Sequence, residues 1–164
     1  MNLNQYLYNI SNEQLYNKNN NHTRVKIYPH QSKGRIIYSP SANGICDKSW
    51  VIIECEKEIV NYYKWFLEKK GVQLDSLLWG SHISIIRGST LDCIDEYHMN
   101  DWKYNNNELI EFQYGDLVTN GVHWWLEVQS KQLEDIREHF GLKPHPDFGF
   151  HLTIGKIRPL KKTV

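Results

Sequence analysis

Two stretches decide how the rest of the chain is read: Leu77 to Arg87, LLWGSHISIIR, and Gly149 to Ile157, GFHLTIGKI. Both are apolar, β-branched runs of strand character. Each holds a His, a hydroxyl residue two positions on, and a basic residue five positions after the His. These are His82, Ser84 and Arg87 in the first stretch and His151, Thr153 and Lys156 in the second. Side chains at i and i+2 of a strand share a face, so His82 lies with Ser84 and His151 with Thr153. An offset of five is odd. In a regular strand it turns Arg87 and Lys156 to the opposite, solvated face, and they reach a ligand only where the strand ends or twists first.

Outward from these stretches the same order of elements recurs. Ser49 to Glu56, SWVIIECE, reads as a strand. Ile59, Tyr63, Phe66 and Leu67 follow at helical spacing, and Gly71 after Lys69 and Lys70 stops that helix. Later, Val122 to Gln129, VHWWLEVQ, reads as a strand, Ser130 as an N-cap, and Leu133, Ile136 and Phe140 as a helix face ended by Gly141. His82 follows Gly71 by 11 positions, and His151 follows Gly141 by 10. A lone His-x-Ser carries no information, but two copies at matching places in matching units do. Gly34 to Ser39 and Glu108 to Tyr114 are further strand candidates. The expected fold is α+β: two pseudo-twofold-related lobes, with antiparallel-rich sheets lining a central cleft and helices outside. Residues 24–164 form this single bilobal domain. Residues 1–23 are an extension rich in Asn, which fills eight of the first 21 positions.

Composition limits the function. The chain has 164 residues, 40% hydrophobic and 13% aromatic, enough for a packed core. Its 19 Lys and Arg balance 19 Asp and Glu. Zero net charge argues against a nucleic-acid coat or a polybasic membrane binder, but leaves room for a small anionic ligand in a local basic pocket. Cys46, Cys55 and Cys93 are an odd, unpaired set, as expected of reduced thiols in the cytoplasm. No run approaches the roughly 18 apolar residues of a membrane span, and the polar start lacks the apolar core of a signal peptide.

If the two His strands meet, one cleft is lined by two imidazoles and two hydroxyls. Cleaving a phosphodiester in line needs a proton taken from the nucleophile and another given to the leaving oxygen. Imidazole, with an ordinary pKa of about 6.5, can do either near neutral pH. The Ser84 and Thr153 hydroxyls can donate to the non-bridging oxygens, on which negative charge grows. No metal or other cofactor is required. His139, His145 and His151 recur every six residues, which matches no zinc spacing, and His22, His30 and His98 sit in polar surroundings.

HISIIR and HLTIGK resemble the paired His-x-Ser/Thr motifs of the 2H phosphoesterase superfamily of RNA ligase-like and cyclic phosphodiesterase proteins. Within it, Trp79-Gly80-Ser81-His82-Ile83-Ser84, His123-Trp124-Trp125-Leu126-Glu127-Val128 and Phe150-His151-Leu152-Thr153-Ile154-Gly155-Lys156 are similar to the phage anti-CBASS nucleases. The resemblance spans about Gly34 to Arg158. The Asn-rich start has no counterpart in it, and Ser84 stands where Thr is also common.

The resemblance implies that His82 and His151 are the acid–base pair and that Ser84 and Thr153 bind the scissile phosphate. It further implies that the substrate is a cyclic di- or trinucleotide immune signal, cut without metal by attack of the adjacent 2′-hydroxyl. The chain would then act in the host cytoplasm if encoded by a phage.

Nucleobases bind by stacking on aromatic faces. Trp124, Trp125, Trp79, Trp50 and Tyr38 are candidate platforms, although adjacent Trp124 and Trp125 must face opposite sides of a strand. Tyr38, Trp124, Arg87 and Lys156 make up the expected substrate-binding set. The His145-Pro146-Asp147 loop adjoins the second motif and could cover the cleft or be an inert turn. Two alternatives stay open. The same chemistry could act on RNA 2′,3′-cyclic phosphate ends or on 2′–5′ oligoadenylate. The protein could also sequester a nucleotide without cleaving it.

Overall fold

The computed structural model describes residues 26–42, 45–46, 50–87 and 104–158. The Asn-rich extension and Cys93 lie outside them. Along the chain run β1 (His30–Tyr38), β2 (Ser41–Ala42), β3 (Ile45–Cys46), β4 (Trp50–Glu54), α1 (Lys57–Lys69), β5 (His82–Arg87), β6 (Leu109–Thr119), β7 (His123–Gln129), α2 (Lys131–His139) and β8 (His151–Lys156).

The helix ends follow from local chemistry. Gly71 and Gly141 take left-handed φ of 83° and 68°, which a residue without Cβ adopts at no steric cost. Each lets the chain turn back, so that Val72 N–H reaches Leu67 O at 2.9 Å and Leu142 N–H reaches Arg137 O at 3.0 Å. Ser130 caps α2 by accepting from Leu133 N–H.

The expected two lobes do not form. The strands run β1-β4-β5-β8-β7-β6, and β1 bonds β6, so six antiparallel strands close one barrel. Two α-helices are described beside it, and the fold is mostly sheet. Two features make separate lobes impossible. First, β1 serves both halves: Arg35 to Tyr38 pair with β4, while His30 to Arg35 pair with β6. Second, the helices cross over. α1 packs on β8, and α2 packs on β5 and β6. Leu67, Leu133 and Ile136 thereby join Ile36, Ile53, Ile83, Ile85, Leu126, Leu152 and Ile154 in a single core. Burying each such side chain is worth about 1.5–3 kcal/mol, so each half depends on the other for this shared core.

Among the described residues no helix is long and apolar enough to cross a membrane.

Candidate active site

β5 and β8 are hydrogen-bonded antiparallel neighbours, with Ile83 opposite Leu152. One step either way sets His82 opposite Thr153 and Ser84 opposite His151. Ile83 and Leu152 are wholly buried in the core. Their neighbours in sequence therefore point to the other face, and all four motif side chains lie there, half-buried. The two His are diagonal neighbours across the seam, a relation that puts residues roughly 7–8 Å apart, with Cβ atoms somewhat closer.

The two imidazoles are fixed in the same way. His82 Nδ1 is 3.2 Å from Gly80 O, and His151 Nδ1 is 3.1 Å from Gly149 O. A carbonyl can only accept, so Nδ1 carries the proton in each contact, and the His82 ring is further held by a backbone bond to Trp79. Gly80 and Gly149 have φ of 70° and 68°, the left-handed turn that brings each carbonyl back to its ring.

The basic residues join this face through an irregularity. In β5, Ile52 pairs with Ser84 and Val51 with Ile86, leaving Ile85 as an extra residue. In β8, Trp125 pairs with Thr153 and Trp124 with Gly155, leaving Ile154 extra. Such a bulge shifts the alternation by one. Arg87, opposite Trp50, and Lys156, opposite His123, consequently rejoin the His face. Arg87 Cζ sits 4.3 Å from the Trp50 ring centroid, and the His82 ring packs edge-on at 4.9 Å against the same indole. The expectation that an odd offset faces away is corrected by the bulges.

Trp50, expected as a candidate stacking platform, instead packs on the His face against Arg87, His82 and Trp79. It is buried, yet lies outside the main core, and its Nε1–H donates to Ser84 Oγ at 3.1 Å. With that lone pair occupied, the Ser84 hydroxyl keeps its own proton for a ligand oxygen. Glu54 and Glu127, opposite His82 and His151, are neighbours the sequence reading missed; Glu127 pairs with Lys26 at 2.7 Å.

Two expected ligand contacts are not brought to the site. Trp124 is 1% exposed and packs in the core opposite Gly155, so it is no stacking platform. Its neighbour Trp125, opposite Thr153, lies on the His face with its ring 6.4 Å from that of His151. Tyr38 lies opposite Val51 on the core side, and its hydroxyl donates to Tyr104 O at 2.8 Å. Burial pushes its phenol well above the ordinary range. A cavity of about 390 Å³ is lined by Lys26, Tyr28, Trp125, Glu127, His145 and Phe148 among others; none of the four motif residues lines it, and it meets the His face only through Trp125 and Glu127, the neighbours of His151. The His145-Pro146-Asp147 loop borders it, and Phe148 next to that loop is 91% exposed.

The imidazole of His82 titrates below its ordinary range. Burial is the main cause, opposed by the bond to Gly80 O, and the charges of Arg87 and His151 add to the lowering. Among the described residues, no three His, Cys, Asp or Glu side chains gather to hold a metal. Comparison with protein-family models, curated proteins and solved structures finds no match for this chain.

Proposed function

We propose that this protein is a phosphodiesterase that opens a small cyclic oligonucleotide by two-histidine acid–base catalysis. The observation that carries the reading is the β5–β8 seam. Two imidazoles, each anchored at Nδ1, share one face with two hydroxyls and two cations.

His82, kept neutral by burial, takes the proton from a ribose 2′-hydroxyl through Nε2. The 2′-oxygen bonds to phosphorus, the bond from phosphorus to the 5′-oxygen breaks, and His151, acting as the imidazolium with a second proton on Nε2, gives that proton to the leaving oxygen and is left neutral. The product is a linear nucleotide ending in a 2′,3′-cyclic phosphate. Ser84 and Thr153 donate to the non-bridging oxygens, and Arg87 and Lys156 offset their charge. The cavity that reaches the His face through Trp125 and Glu127 has aromatic walls and polar groups suited to a nucleobase. The resemblance of HISIIR and HLTIGK to the 2H phosphoesterase motifs supports the same reading. So does the likeness to phage nucleases that destroy host CBASS signals, although the closed barrel differs from the bilobal fold that this resemblance implies.

Incubation with 3′,3′-cGAMP, cyclic trinucleotides, 2′–5′ oligoadenylate and RNA bearing a 2′,3′-cyclic phosphate, with product identification, tests the proposal. Cleavage of a cyclic oligonucleotide is the expected result. Intact substrate across the panel sinks it, and a preference for RNA ends or for 2′–5′ linkages reassigns the substrate.

A further inference from the structure

The bulge in β5 leaves Ile85 without a registered partner on β4, and the register with β8 is confined to Ile83 opposite Leu152. A buried carbonyl in that position needs a donor from elsewhere. It has one: Arg137, from α2, donates through Nη1 to Ile85 O at 2.6 Å. The same guanidinium donates through Nε to Lys143 O at 2.7 Å, in the loop that leads to β8. Burial weakens its hold on its proton, and Asp147 in that loop works against this. Arg137 is thus a half-buried cation spent on two main-chain carbonyls, one inside β5 and one in the loop between α2 and β8. A helix surface has no need of such an arrangement for solubility.

We propose that Arg137 is a positioning residue for this site: it holds the β5 bulge open and thereby keeps Arg87 on the face of His82. Without the bond, the Ile85 carbonyl is left unpaired, and β5 is driven toward a regular pleat that satisfies it on a neighbouring strand. A regular pleat swings Arg87 to the opposite face. Arg137 touches none of the four motif side chains, so its effect runs through Arg87. The kinetic consequence rests on the phosphodiesterase reading above, and the structural consequence does not.

The charged and titratable groups facing His82 are Glu54 across on β4, His151 diagonally on β8 and Arg87 along its own strand. Arg87 is one of the groups that hold the His82 titration down. NMR titration of the His82 ring in the full chain, without substrate, therefore reports where Arg87 sits. In Arg137→Gln the His82 inflection should move upward, as in Arg87→Ala, and Arg87→Ala combined with Arg137→Gln should titrate like Arg87→Ala alone. With a cyclic dinucleotide, KM should rise about tenfold in Arg137→Gln, the loss of one charge-assisted contact, while kcat falls less. Arg137→Lys, which can reach one of the two carbonyls, should fall between Gln and wild type.

An unchanged His82 inflection in Arg137→Gln, with a shifted one in Arg87→Ala, overturns the proposal. So does a double variant that shifts beyond Arg87→Ala. Should Arg137→Gln fail to fold, Arg137→Lys is read by the same criteria. If wild type turns over no nucleotide, the phosphodiesterase reading fails while the titration still decides the role of Arg137.

Discussion

The two His strands carry the same bulge at the same distance from the His, yet the molecule braces them differently. In β8 the brace is main chain. Asp75 N–H donates to Lys156 O at 2.8 Å, Arg158 N–H to Gln73 O at 3.0 Å, and Leu74 bridges Ile157. Gly155 makes room for this, since a Cβ there would stand 3.0 Å from Leu74 Cβ and 3.1 Å from Asp75 O. In β5 the corresponding position is Ile86, buried in the core, and the extra carbonyl beside it is met by the Arg137 side chain. Each brace comes from the other half: residues after α1 hold β8, and α2 holds β5. A main-chain brace resists substitution except at the Gly that admits it. A side-chain brace can be removed by one mutation, so the β5 half of the site is the more easily disturbed.

Experiments can break that comparison, beginning with the largest effect. If the strands are equal partners in catalysis, His82→Ala and His151→Ala should each lower kcat by about 10²–10⁴, with the double variant little worse than either. Steady-state kinetics on the cleaved cyclic nucleotide measures this, and one variant with near-normal kcat would break the partnership. Gly155→Ile, which gives β8 the residue that β5 has, should instead cost stability, about 1–3 kcal/mol by urea denaturation, because Leu74 and the Asp75 carbonyl must yield. A neutral result would mean that the two braces are interchangeable.

The cations come next. Arg87→Ala and Lys156→Ala should each raise KM by about tenfold at low salt, with a smaller effect at high salt, since both are exposed. Equal values from the two would show that the bulges present them equally well.

The smallest effect is on pH. The native His82 titrates below its ordinary range while the unfolded one does not. Between the two values the unfolded chain binds more protons, so stability rises with pH through that window. This contribution is fully present above about pH 6.5 and is lost as pH falls through the native value. His82→Gln should flatten that part of the stability profile, read from denaturation midpoints between neutral and mildly acidic pH. A profile that is unchanged in His82→Gln would place the dependence elsewhere.

Much of the site was legible because it rests on local rules. The recurrence of His-x-Ser/Thr after strand, helix and Gly located all four motif residues, and strand alternation put each pair on one face. The glycines at 71 and 141 marked the helix ends because left-handed φ is a local demand. Trp124 and Trp125 show where this reasoning stops. Alternation says that they face apart, but only pairing with β8 says which one sees His151. Arg87 and Lys156 show why. Their face is set by bulges, and a bulge exists only relative to a partner strand. Gly155 is a weak trace of one in the sequence; IIR in β5 carries none.

By itself, then, the sequence determined the element order, the helix limits and the pairing of each His with its hydroxyl, all of which depend on residues a few positions apart. Tertiary structure alone decided that β1 joins both halves into one barrel, that each helix packs on the other half's His strand, and that two cations return to the face of the imidazoles. Those outcomes depend on which strands meet and in what register, and such contacts join residues too distant along the chain for any local pattern to encode.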